Sequence, residues 1–158
     1  MPSLANGVLS GMPLSGRGCM MSGFTGVATG FTILVAEDAQ AVRAYVGKVL
    51  EAQGHTVLAA VDGVEALEVA AQHPWPIHLL LTDLAMPRLD GCELHRALKR
   101  QHPETRTLFM SGFFVTALPP GTSFLPKPLL ARALVQRVGE MLRPYMQRST
   151  ALRSAQRV

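Results

Sequence analysis

From Phe31 onward, five short apolar runs alternate with segments whose apolar residues recur at helical spacing. That alternation restricts the fold more than any other feature of the chain. Ile33-Leu34-Val35 is the first run, and Glu37-Asp38 follow it directly. Val42, Tyr45, Val46, Val49 and Leu50 then share one helical face, and Gly54 stops the helix. His55 to Ala59 reads as a second strand. Asp62 and Glu65 have capping-box spacing at the head of a helix through Leu67 and Ala70, which Pro74 and Pro76 break. His78 to Asp83 is the most continuous candidate for a buried strand. Asp90 and Glu93 repeat the capping spacing before Leu94, Ala97 and Leu98. Thr107 to Met110 and Ser123 to Leu125 are the fourth and fifth runs. After Pro128, Leu130, Leu134, Val138 and Leu142 recur every four residues, and Pro144 is expected to end that helix.

Strands that alternate with helices imply βαβ units, hence an α/β protein with a parallel sheet covered on both faces. Right-handed crossovers narrow this to a doubly wound arrangement of five parallel strands. Ligands of such folds bind at the carboxyl ends of the strands. The residues just after each apolar run are therefore the informative ones.

The 158 residues suit one globular unit with additional tail. A hydrophobic share of 48% against 16% charged residues argues against a disordered chain. Residues 1–30 are rich in Gly, Ser, Met and Pro without a clear period, and read as a linker or mobile arm. The globular unit is placed at 31–143 and a basic tail at 144–158. The excess of positive charge behind the net +4 lies largely in the last twenty or so residues, where Arg137, Arg143, Arg148, Arg153 and Arg157 stand against Glu140; with Tyr145 as the one interleaved aromatic, a solvated tail is favoured over a nucleic-acid contact. Cys19 and Cys92 form no metal-binding or redox pair and suggest a reducing compartment. The uncharged stretch from Gly18 to Ala36 is as long as a membrane span, but its Gly, Ser and Thr content and the absence of a basic leader favour a cytoplasmic protein.

The strand ends carry Glu37 and Asp38, then Asp83, Ser111 and Lys127. Singly, Asp38 reads as a helix cap and Lys127 as surface charge. Together they describe a site. Carboxylates converging at one sheet edge repel, by about 4 kcal/mol per pair at ~4 Å and an effective dielectric near 20. A divalent cation such as Mg²⁺ and a lysine would compensate, leaving one carboxylate to act as a nucleophile. Ser111 would donate to an incoming phosphoryl oxygen and Lys127 would neutralise another, as phosphoryl transfer requires.

From about Phe31 to Leu142 the chain resembles the response-regulator receiver domains of two-component signalling. The resemblance is carried by ILVAEDAQAVR, LLLTDLAMPRLDG, LFMSGF and FLPKPL. It implies a flavodoxin-like strand order 2-1-3-4-5 and a receiver unit over 31–143. It also implies Asp83 as phosphoacceptor, and Mg²⁺ held by Glu37, Asp38, Asp83 and the backbone carbonyl of Ala85. Ser111 and Phe124 would be the switch pair, Lys127 the conserved-type lysine, and Lys127–Pro128 a cis bond. A histidine kinase or histidine phosphotransfer protein would be the donor, an unidentified protein the downstream target, and the domain a phosphoacceptor rather than an enzyme with turnover. Ala85 and Phe113 take the variable positions flanking the phosphorylation site. Neither can orient a water, which implies slow self-dephosphorylation. Such domains usually have a full helix between the fourth and fifth strands; here FFVTALPP leaves room for a short turn or loop, so the fourth helix is shortened or missing. Phe113 and Phe114 then either stay exposed as a partner site or fold back over the core.

By position alone, Phe124, Met86 and Met110 read as core residues. The histidines at 55, 73, 78, 95 and 102 lack metal-ligand spacing, and Gly91 reads as a turn or packing requirement. Three rivals remain: a receiver-fold binding module that needs no phosphorylation, an aspartyl phosphatase, and a DNA-binding regulator using the basic tail. Ala85 weighs against the second, since that class places a general-acid Asp two residues after its nucleophile. No output domain is legible after the receiver, so protein contact, a relay role or derivation from a hybrid kinase is expected.

Overall fold

The computed structural model describes residues 30–155 apart from 114 and 116. Most of the expected arm, Cys19, Phe114 and Arg157 therefore lie outside the described residues. The elements run β1 (Thr32–Ala36), α1 (Gln40–Ala52), β2 (Thr56–Ala60), α2 (Gly63–Gln72), β3 (Leu79–Asp83), α3 (Gly91–Gln101), β4 (Arg106–Ser111), β5 (Ser123–Pro126) and α4 (Ala131–Ala155). The five strands are parallel in the order β2-β1-β3-β4-β5. This is the doubly wound arrangement expected from the alternation.

The strand sequences follow from their places in the sheet. β3 is central and buried along its whole length, so Leu79, Leu80 and Leu81 need no polar alternation. β2 lies at an edge and is only partly buried. One core layer joins Ile33, Val35, Leu81, Leu108 and Met110 to Val46 and Leu50 of α1 and to Leu134, Val138 and Leu142 of α4. The other joins Leu34, Ala36 and Leu80 to Ala66 and Ala70 of α2 and to Leu94 and Leu98 of α3. Both predicted caps form: Asp62 accepts the Val64 and Glu65 amides, and Asp90 and Glu93 make a reciprocal capping box.

Among the described residues, no helix lies between β4 and β5, in keeping with the short FFVTALPP stretch. Phe113 there is 78% exposed. The expected helix end at Pro144 is corrected: α4 passes through Pro144 and continues to Ala155. A proline inside a helix costs about 3 kcal/mol. Tertiary contacts beyond it offset that cost. The Tyr145 ring packs 5.1 Å from His78 and 6.1 Å from Phe31, and its hydroxyl donates to the Glu104 carbonyl. Arg148 pairs with Glu104 at 2.9 Å. At least the start of the basic segment is thus helix docked on the domain. No helix among the described residues is long and apolar enough to cross a membrane.

Candidate functional site

β1 and β3 are hydrogen-bonded neighbours, so their carboxyl ends bring Glu37 and Asp38 beside Asp83. One carboxylate oxygen from each of the three lies within 4.8 Å of the others. Glu37 is fully buried, Asp83 is 9% exposed, and Asp38 faces solvent. β5 delivers the cation. Its last residues pair with β4, and the Lys127 amide donates to the Ser111 carbonyl at 2.8 Å. The Lys127 ammonium then stands 2.8 Å from Glu37 Oε2 and 2.9 Å from Asp83 Oδ2. The Lys127–Pro128 bond is cis.

The charges are mutually dependent. Burial pushes the Glu37 carboxyl above its ordinary range and the charge of Asp83 adds to this, while Lys127 pulls the other way. Burial would lower the Lys127 pKa, but its close contacts with the Glu37 and Asp83 carboxylates outweigh it and hold the ammonium above the usual lysine value. Lys127 is therefore charged, one positive group among three carboxylates.

The oxygens fit a hard divalent cation. Glu37 Oε1 accepts the Ala39 amide at 3.2 Å, whereas buried Oε2 meets the ammonium without hydrogen-bond geometry. That leaves lone pairs on Oε2 unused next to the solvent-facing Asp38 carboxylate. A cation that takes oxygen ligands and keeps several waters suits such a half-open set.

Of the other residues singled out in the sequence, Ser111 ends β4 and is 4% exposed; its hydroxyl oxygen accepts the Phe113 amide at 3.0 Å. Ala85 is exposed, two residues beyond Asp83. Phe124 is half-buried on β5 opposite Phe109, so it sits back from the acidic cluster rather than in it. Gly91 is a packing requirement: a Cβ there would fall 2.2 Å from the Asp83 carbonyl oxygen.

Sequence reasoning missed Arg43. From α1 its guanidinium donates to the Glu37 carbonyl at 2.6 Å and the Asp38 carbonyl at 3.2 Å, fixing the loop that presents both carboxylates. Its position one helical turn into α1 was the available signal.

Residues 33–139 match the family described as the response regulator receiver domain. The chain belongs to that family. The receiver is 38% identical over 117 residues to the sensor kinase CckA of Brucella abortus, covering 70% of this chain but 12% of that kinase. It is 36% identical over 116 residues to the response regulator receiver protein CpdR of Brucella abortus, covering 70% of this chain and 95% of CpdR. Against the solved receiver domain of the hybrid histidine kinase CckA the TM-score is 0.59 at 36% identity, covering 70% of this chain and 98% of that one. A receiver from Clostridium thermocellum, at 24% identity and a TM-score of 0.67, shares the fold. Receivers of this family generally act as phosphoacceptor switches and bind Mg²⁺ at an acidic pocket; the acidic cluster here is of that kind.

Proposed function

We propose that Asp83 accepts a phosphoryl group from the phosphohistidine of a histidine kinase or histidine phosphotransfer protein, in the cytoplasm. The observation that carries this is the Lys127 ammonium shared by Glu37 and Asp83, with Asp38 alongside. A carboxylate oxygen of Asp83 attacks phosphorus, the P–O bond forms as the P–N bond breaks, and the electron pair leaves with the donor imidazole, which takes up a proton from solvent. Mg²⁺, held by Glu37, Asp38, Asp83 and the Ala85 carbonyl, would supply charge neutralisation for the phosphoryl oxygens. Lys127 shifts its ammonium from the Asp83 carboxylate to the new phosphoryl oxygens, and Ser111 turns its hydroxyl hydrogen onto one of them.

An apolar groove of about 440 Å³ adjoins Lys127, lined by Ala41, Val42, Tyr45, Pro128 and Leu129. Its continuity with the site supports a reading in which the phosphodonor docks there. Once Ser111 is drawn toward the phosphate, Phe124 repacks in the space next to it, and the β4–β5 side changes its contacts with a downstream protein. Ala85 and Phe113 offer no group to orient a water, so the acyl phosphate persists for minutes or longer; a lifetime of seconds without a phosphatase contradicts this.

Intact mass after incubation with a small phosphodonor tests the proposal. One phosphoryl adduct is expected, requiring Mg²⁺ and lost in Asp83→Asn. A folded protein that gains no adduct from the small donor or from a kinase identifies a binding module independent of phosphorylation.

A further inference from the structure

We infer that Arg88 is a positioning residue for the metal side of the site: its ion pair with Asp62 fixes the connection from Asp83 to Asp90, and with it the Ala85 carbonyl. This rests on the phosphoacceptor reading above. Arg88 has φ 67°, in the left-handed region that a residue with a Cβ disfavours. Two contacts hold it there: the Leu89 amide donates across it to the Pro87 carbonyl at 2.8 Å, and its side chain is tied to Asp62. Both its Nε, at 2.6 Å, and a terminal nitrogen donate to Asp62 Oδ2. Asp62 is itself buried and tied to the head of α2: it is 4% exposed, and its Oδ1 accepts the Val64 amide at 2.9 Å and the Glu65 amide at 3.0 Å. With those two amides and the guanidinium, its carboxylate is saturated. The bond from the Glu65 amide, with help from Arg88, holds its pKa below the ordinary aspartate range, so the pair is charged at neutral pH.

Two further contacts show how closely the connection lies against its surroundings. A Cβ on Gly63 would stand 2.7 Å from the Leu89 carbonyl oxygen, so the connection lies flush on the head of α2. At its other end Leu84 is tied twice, donating to the Met110 carbonyl at 3.0 Å and accepting the Gly91 amide at 3.1 Å. Ala85, Met86 and Pro87 therefore span two anchors, Leu84 and Arg88. The Arg88 end is the weaker, because its side chain is 57% exposed. Releasing it lets the backbone leave the left-handed region and turns the Ala85 carbonyl, which the proposed function assigns to Mg²⁺. Partners that orient metal ligands typically affect affinity by about 10- to 100-fold when removed.

Mg²⁺ binding by calorimetry on the full chain tests this directly. Arg88→Ala is expected to weaken Mg²⁺ about tenfold. Arg88→Gly tolerates the positive φ but lacks the ion pair, and is expected to fall between wild type and Arg88→Ala. If Arg88→Ala does not fold, Arg88→Lys carries the test, since it keeps the charge but loses the two-nitrogen contact; about threefold weaker binding is expected. Wild-type Mg²⁺ affinity in the variant that folds overturns the inference. Wild type that binds Mg²⁺ yet forms no adduct overturns the phosphoacceptor reading alone, and wild type that binds no Mg²⁺ overturns both.

Discussion

Lys127 Nζ donates to Asp83 Oδ2 at 2.9 Å across 44 positions of sequence. The same ammonium is also the counter-charge of the fully buried Glu37. Removing one partner of such a buried pair commonly costs about 3 kcal/mol. Lys127→Met is therefore expected to lower stability by about that much in metal-free buffer, and Mg²⁺ is expected to restore more stability to the variant than to wild type. Urea denaturation with and without Mg²⁺ checks this; equal Mg²⁺ increments in the two proteins contradict it.

Three histidines set the response to acid. Burial lowers the pKa of His55, His78 and His95, with Lys99 and Arg96 adding to the effect at His95. His55 and His78 accept the Phe31 and Thr32 amides at Nδ1, so those nitrogens are unprotonated in the folded protein. With folded pKa values below the ordinary 6.5, the unfolded chain binds more protons over the interval between the two. Their contribution is complete above pH 6.5 and is lost as pH falls below it, at up to about 1.4 kcal/mol per pH unit for each histidine that stays neutral. Urea midpoints should be level from pH 8 to about 7 and drop toward pH 5.5. A His95→Gln variant should show a shallower drop, and a midpoint independent of pH over this range contradicts the assignment.

Gly91 leaves no room for a side chain against the Asp83 carbonyl. Gly91→Ala is expected to destabilise by about 1 to 3 kcal/mol and to slow phosphoryl transfer by displacing Asp83. Thermal melts and the initial rate of adduct formation report the two effects. A variant with wild-type values for both contradicts the packing role.

The helix beyond Pro144 is held by Tyr145, whose ring meets His78 and Phe31 and whose hydroxyl donates to Glu104. Tyr145→Ala is expected to cost about 2 kcal/mol and to raise amide hydrogen exchange between residues 145 and 155. Exchange as fast in wild type as in the variant contradicts a docked helix.

The parts of this molecule that were legible in the sequence depend on periodicity and on chain order. Leu79 to Asp83 is apolar up to its last residues because a central parallel strand is buried on both faces, and that burial marks Asp83 as a strand end. The acidic pair, Ser111 and Lys127 follow by the same logic, and FFVTALPP is too short and too proline-rich for a helix. Pro144 misled because local propensity yielded to tertiary packing by Tyr145 and Arg148, which no periodicity shows. The Arg88–Asp62 pair was hidden for a different reason. Its partners are 26 positions apart, and the positive φ at Arg88 is not marked by a glycine.

The most direct test is to locate the phosphoryl group. Borohydride reduces an aspartyl phosphate to a homoserine residue, which peptide mass spectrometry places in the chain. After treatment with a phosphodonor and Mg²⁺, reduction is expected at position 83 and nowhere else. Reduction at Asp38, or a phosphoryl group found on a serine or histidine with Asp83 untouched, would contradict the assignment of Asp83 as the acceptor.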